Sequence, residues 1–139
     1  MNIYSVYDSS FFNSEIYKDY IKEHPGSGSL RVRAYSANEA LPIEGVKVEI
    51  STYYKSNLIV FFQGETDSSG LIDRISLPTT NNDSNNLEIP ERTIYQVHVI
   101  YEKENLDKEY SVGMYDGICT VQNIAVQPST LKVGTVSWQ

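Results

Sequence analysis

Two linked segments decide the fold: Leu41-Pro42-Ile43-Glu44-Gly45-Val46-Lys47-Val48-Glu49-Ile50, and Thr66-Asp67-Ser68-Ser69-Gly70-Leu71. Pro42 is fixed in φ and lacks an N–H, so it suits the entry to a strand and not its middle. Gly45 supplies backbone freedom immediately before Val46, Val48 and Ile50 begin to alternate with Lys47, Glu49 and Ser51, a half-buried strand pattern. Asp67, Ser68, Ser69 and Gly70 are turn formers, with Gly70 placed where a positive φ is expected. Between the two lies Leu58-Ile59-Val60-Phe61-Phe62, an unbroken apolar run that predicts a strand covered on both faces.

Working outward, short alternating segments recur. Leu30, Val32 and Ala34 precede a turn-rich link from Ser36 to Leu41, and Leu71, Ile75 and Leu77 follow the Asp67–Gly70 turn and are closed by Pro78. Tyr95, Val97, Val99 and Tyr101 alternate next; Glu102 to Glu109 reads as a charged turn, and Tyr110, Val112 and Met114 as a strand. Asp116-Gly117 turns the chain into Ile124 and Val126. That is about seven strands separated by turns, the signature of a β-sandwich. Residues 1–27 read as a helical lead-in: Phe12, Ile16 and Tyr20 recur at helical spacing, with Tyr17 and Ile21 beside them, and predict a short amphipathic helix from about Asn13 to Glu23, stopped by Pro25 and Gly26. Gly26-Ser27-Gly28-Ser29 reads as a hinge. Residues 28–128 form the sandwich, with a polar excursion from Thr79 to Glu91. Residues 129–139 read as an arm whose Leu131, Val133, Val136 and Trp138 predict pairing with a sheet edge or docking in a groove.

Composition bounds the function. The chain has 139 residues and a net charge of −7, with an isoelectric point near 4.7. That balance argues against a nucleic-acid partner, which calls for a basic face. No apolar run is long enough to span a membrane. The segment from Met1 to Asp8 lacks the basic and apolar regions of a secretory signal, so the chain is expected to be cytoplasmic at synthesis, with incorporation into a particle such as a virion or spore compatible with that. Cys119 is the only cysteine; it excludes an intrachain disulfide and reads as a small buried hydrophobe. Tyrosine is over-used, with 11 residues. Tyr53, Tyr54, Tyr95, Tyr101, Tyr110 and Tyr115, together with Trp138, are the candidate interaction residues, because tyrosine fits both pleated surfaces and interfaces.

No catalytic or metal constellation is legible. His24 sits at a helix end, and His98 in a strand reads as solvent-facing; neither has metal-ligand companions at a usable spacing. No nucleophile has a base and an orienting partner, and no G-x-S-x-G elbow is present. Glu102/Glu104 and Asp107/Glu109 read as a solvated turn and not as an apposed acid pair. Asp67 could join a calcium site, but no alternating acidic series supports one, and capping of its own turn is the better reading. Gly45, Asp67, Gly70, Asp116 and Gly117 are therefore assigned structural turn roles, with no cofactor.

The P-x-x-G-V-x-V strand (Pro42 to Val48) with the T-D-x-x-G turn (Thr66 to Gly70) resembles the carboxypeptidase regulatory-like, prealbumin-like β-sandwich. The blocks His24 to Val32, Leu77-Pro78, Ile94 to Val99, Asp116-Gly117-Ile118 and Val121 to Pro128 are similar to the non-catalytic amino-terminal module of clostridial-type spore cortex-lytic enzymes. The resemblance covers roughly residues 20–128. It implies an all-β, Greek-key sandwich without lytic activity of its own. One enzyme type shares the prealbumin-like fold, the hydrolase of 5-hydroxyisourate, but its histidine motifs and its terminal Tyr-Arg-Gly-Ser have no counterpart in His24, His98 or Thr135 to Gln139. The expected function is a non-enzymatic structural or adaptor module acting through protein contacts or self-association in a larger bacterial or phage-encoded assembly. The alternative is an accessory module binding peptidoglycan or another carbohydrate through exposed tyrosines.

Overall fold

Residues 1–81 and 92–128 are described by the computed structural model. The alternating segments build eight strands: β1 (Ile3–Ser5), β2 (Gly26–Ser36), β3 (Lys47–Tyr54), β4 (Asn57–Glu65), β5 (Leu71–Thr79), β6 (Thr93–Tyr101), β7 (Leu106–Met114) and β8 (Cys119–Val126). They form a five-stranded sheet ordered β1-β4-β3-β6-β7 and a three-stranded sheet ordered β5-β2-β8. Inward residues of both sheets, among them Leu30, Val32, Val48, Ile50, Ile59, Leu77, Val97, Val99 and Ile124, share one buried core. The described residues form an all-β sandwich with one α-helix, α1 (Glu15–Glu23).

The quoted segments form a corner where the chain passes from one sheet to the other. Asp67 Oδ1 accepts from the amides of Ser69 (2.9 Å) and Leu71 (3.0 Å), so the carboxylate caps its own turn. Gly70 has φ +76°, and a Cβ there would lie 2.4 Å from the Ala34 carbonyl oxygen. That close approach lets Ala34 N–H donate to Gly70 O at 2.7 Å, while Ile43 N–H donates to Ala34 O at 3.1 Å. The Thr66 hydroxyl, buried at 3 % exposure, donates to Ile43 O at 2.7 Å and accepts from Val46 N–H at 3.0 Å. Gly45 also has a positive φ, +86°, but open space around it. Asp116 Oδ1 takes the Ser27 amide at 3.1 Å, and Gly117, at φ +75°, donates its N–H to Ser27 O.

Several expectations need correction. Ile3–Ser5 is an eighth strand, parallel to β4; three residues are too short to show a period. Gly26-Ser27-Gly28-Ser29 is no hinge: it is the start of β2, paired with β5. At Gly28 a Cβ would come 2.5 Å from the Tyr115 carbonyl oxygen, so the glycine serves close backbone approach. The helix starts at Glu15, capped by the Ser14 hydroxyl on Tyr17 N–H. Phe12 is not on its buried face and is 51 % exposed, whereas Phe11 is buried. Pro78 lies inside β5, opposite Ser27, and is tolerated because β5 is an edge strand.

The charged turn is shorter than expected. Only Glu102–Glu104 is a helical turn, ended by left-handed Asn105, and β7 already begins at Leu106. Cys119 is exposed, not buried, since it falls on the outward phase of β8. Ile59 and Val60 are both buried; being adjacent in a strand they face opposite ways, so β4 is covered on both faces at that point. Most of the Thr79–Glu91 excursion and all of the 129–139 arm, including Trp138, lie outside the described residues.

The corner gives a paired test. Gly70→Ala should cost about 3 kcal/mol, combining left-handed strain with a backbone clash, whereas Gly45→Ala should cost only about 1 kcal/mol. Urea unfolding of both variants measures the difference; equal costs would mean that the contact with Ala34 does not hold the corner.

Candidate interaction surface

The helix is seated by aromatic rings. Tyr20 reaches from α1 into the core, where it is 2 % exposed, and lies 5.0 Å from Tyr54 and 5.4 Å from Phe61. Phe61 in turn meets the Tyr95 ring at 5.6 Å, edge to face. Burial of two phenols demands partners, and they form a relay: Tyr20 OH donates to Tyr95 OH at 2.9 Å, which donates to the Pro78 carbonyl at 2.6 Å. Burial pushes the Tyr20 phenol up to about 12, against the opposing hydrogen bonds to Tyr95 and Thr52. Burial, and then the neighbouring Tyr20, push the Tyr95 phenol higher still. A nine-residue helix is marginal alone in water; this seat anchors it to the sandwich.

His24 ends the helix. Its ring stacks on Tyr20 at 4.0 Å, and Nδ1–H donates to Tyr20 O at 2.8 Å. A depression lies on each side of it. One, of about 370 Å³, is bounded by Tyr20, Tyr53, Tyr54, Arg92 and Gln96. Gln96 Oε1 accepts from Ser111 Oγ at 3.0 Å, which leaves its amide N–H groups as donors. The Arg92 side chain lies over Gly113, where a Cβ would come within 2.9 Å of it. The other, of about 390 Å³, is bounded by Phe12, Tyr17, Ile21, Pro25, Phe61 and Pro78 and is mainly apolar. A third depression, of about 420 Å³, lies on the five-stranded sheet among Lys47, Glu49, Gln63, Glu65, His98 and Ile100. There His98 Nε2 meets Asp107 Oδ1 at 2.7 Å, and Gln63 donates to Glu49 at 2.7 Å. The two histidines thus line different depressions.

The tyrosines do not form one platform. Tyr95 is fully buried and offers no surface, contrary to its place among the candidate contact residues; its strand phase points into the core. Tyr54, Tyr101 and Tyr110 are half-buried against the core, and Tyr115 is half-buried. Tyr54 OH donates to the Glu23 carboxylate, and the Lys108 ammonium lies 5.1 Å from the Tyr110 ring centre. Tyr53 alone of these is well exposed, at 63 %.

The reading of tyrosines missed a different surface. The exposed apolar side chains include Met1 (79 %), Ile3 (67 %), Tyr7 (58 %) and Phe12 (51 %), all in the first 12 residues. The backbone from Asn2 to Val6 is held on β4. Val6 N–H donates to Val60 O and Leu58 N–H to Asn2 O, each at 3.0 Å. Tyr7 OH donates to Gln63 O at 3.2 Å and accepts from Gln63 N–H at 2.9 Å. A second exposed pair, Ile118 (51 %) and Val121 (49 %), lies at β8. No group of His, Cys, Asp and Glu among the described residues could hold a metal ion, and no helix among them is long and apolar enough to cross a membrane.

No protein-family model and no curated protein matches the chain. Among solved structures it is similar to the 5-hydroxyisourate hydrolase of Klebsiella pneumoniae. That match has a TM-score of 0.45 and 13 % identity, covering 72 % of this chain and 90 % of that one. At that score and identity the match assigns neither a family nor an activity.

The phenol relay has a pH signature. Because the folded-state pKa of Tyr20 lies above the unfolded value near 10, the unfolded chain loses that proton first. Stability is therefore full below about pH 10 and falls as pH rises toward about 12. In denaturant melts at pH 8, 10 and 11, Tyr20→Phe/Tyr95→Phe should start less stable but lose less on alkalinisation. Parallel losses in both proteins would remove the relay from this account.

Proposed function

We propose that this domain is a non-enzymatic contact module, acting by protein–protein association within a larger assembly. The observation that carries the reading is the amino-terminal segment. Met1, Ile3, Tyr7 and Phe12 display apolar groups to solvent; the backbone from Asn2 to Val6 is hydrogen-bonded to β4, and the Tyr7 hydroxyl bonds to Gln63. Apolar surface held in place before binding loses little conformational entropy on association, which is what a docking surface needs. His24 and His98 line separate depressions, so the fold does not bring the two histidines together for acid–base work. Hydrolysis of 5-hydroxyisourate is not assigned to this chain.

A second reading is favoured by the depression at Tyr53. An exposed aromatic face beside the Gln96 amide and the Arg92 guanidinium offers stacking and donors to a sugar ring. It accords with the resemblance to modules of cortex-lytic enzymes, a resemblance that the comparisons leave without support. Retention on purified peptidoglycan, lost in Tyr53→Ala, would favour it, and no retention would remove it.

The contact reading is tested by light scattering at micromolar concentration, together with co-purification. We expect a mass above the 15.8 kDa of one chain, or a stoichiometric partner, and about tenfold or greater weakening of that association in Ile3→Ser/Phe12→Ser. A strictly monomeric protein without a partner would overturn it.

A further inference from the structure

The four sheet edges differ in a way that bears on association. An exposed edge strand presents unpaired backbone groups, and proteins blunt such edges with charge, proline, bulges or brevity. Three edges here are blunted. β1 is only three residues long. β7 carries Asp107, Lys108 and Glu109. β5 carries Asp73, Arg74 and Pro78, with left-handed Arg74 at φ 61° and a shift in its pairing with β2. β8 has none of these devices. Its eight residues, Cys-Thr-Val-Gln-Asn-Ile-Ala-Val, include no charge and no proline. It pairs with β2 in unbroken parallel register from Cys119 to Val126, and no strand among the described residues pairs with its other side.

We propose that the free edge of β8 pairs antiparallel with β8 of a second copy of this chain, joining two three-stranded sheets into one of six strands. This rests on the contact-module reading and names one of its partners. An antiparallel two-fold contact sets each residue against the one equally far on the other side of the axis, so like charges placed symmetrically about that axis would repel. In a chain of net charge −7, a neutral run from Ile118 to Pro128 avoids that repulsion in every register. β7 paired with itself about Lys108 would instead set Asp107 against Glu109. Ile118 and Val121, half exposed in the single chain, adjoin the same edge and extend the contact beyond the backbone.

With the two-fold axis at Gln122, Val121 of one copy faces Asn123 of the other. Both side chains are exposed, so their replacement leaves the core intact, which circular dichroism checks. The 139-residue wild type should scatter at twice 15.8 kDa. Val121→Glu/Asn123→Glu should scatter at a single chain's mass at the same concentration. Mixing it with Val121→Lys/Asn123→Lys should restore the doubled mass, as a one-to-one heterodimer. A Glu variant that stays dimeric, or mixed variants that stay monomeric, would overturn the β8 contact while leaving association through the amino-terminal segment standing. A monomeric wild type with a stoichiometric partner would overturn self-pairing alone; without one it would overturn the contact-module reading as well. A wild type that dimerises only after removal of residues 129–139 would show the edge occupied by the chain itself, and would equally overturn the proposal.

Discussion

The structure depends on one buried hydroxyl and one close backbone contact. Thr66 Oγ1 joins Ile43 O to Val46 N–H, and Gly70 brings its carbonyl onto Ala34 N–H. Together they tie the end of β4, in the larger sheet, to the strand exchange between β2 and β3. Ala34 and Val46 are buried, and leaving either of their N–H groups unpaired would cost about 1–3 kcal/mol. The corner therefore satisfies the backbone at the place where the chain leaves one sheet for the other. Only glycine fits at position 70, where φ is positive and the Ala34 oxygen leaves no room for a Cβ.

With the corner fixed, the two sheets hold the rest in register. Tyr95 on β6 and Pro78 on β5 stand close enough for one phenol to bridge them, and Tyr20 adds α1 to that bridge. The amino-terminal segment then lies along β4, the strand that enters the corner. Its exposed apolar groups are displayed by the same framework that closes the core.

Much of this architecture was legible in the sequence because it rests on period-two alternation and on turn chemistry. The Asp67–Gly70 turn and the strands from Leu30, Val48, Leu71 and Val97 could be read from residue types alone. The misreadings share a cause: tertiary contacts overrode local composition. Gly26-Ser27-Gly28-Ser29 looks like a linker, yet glycine is there so that neighbouring backbone can approach. Asp107, Lys108 and Glu109 look like a turn, yet a pairing strand fixes them in β7. Tyr95 looks like surface, but its hydroxyl finds partners inside. The exposed apolar groups of the first 12 residues left no periodic signal, since three strand residues and scattered apolar side chains make no pattern. The neutrality of Cys119 to Val126 was visible all along, but its meaning needed the sheet order, which alone shows that strand to be an edge.

Native-state hydrogen exchange tests the central claim, that the corner holds the sandwich together, most directly. The amides of Ala34, Ile43, Thr66 and Gly70 are all donated within the corner. If it is as fixed as the core, they exchange only through global unfolding, with the same opening free energy as the amides of Val97 and Leu77. Exchange of the corner amides through local opening, several kcal/mol easier than the core, would contradict the account.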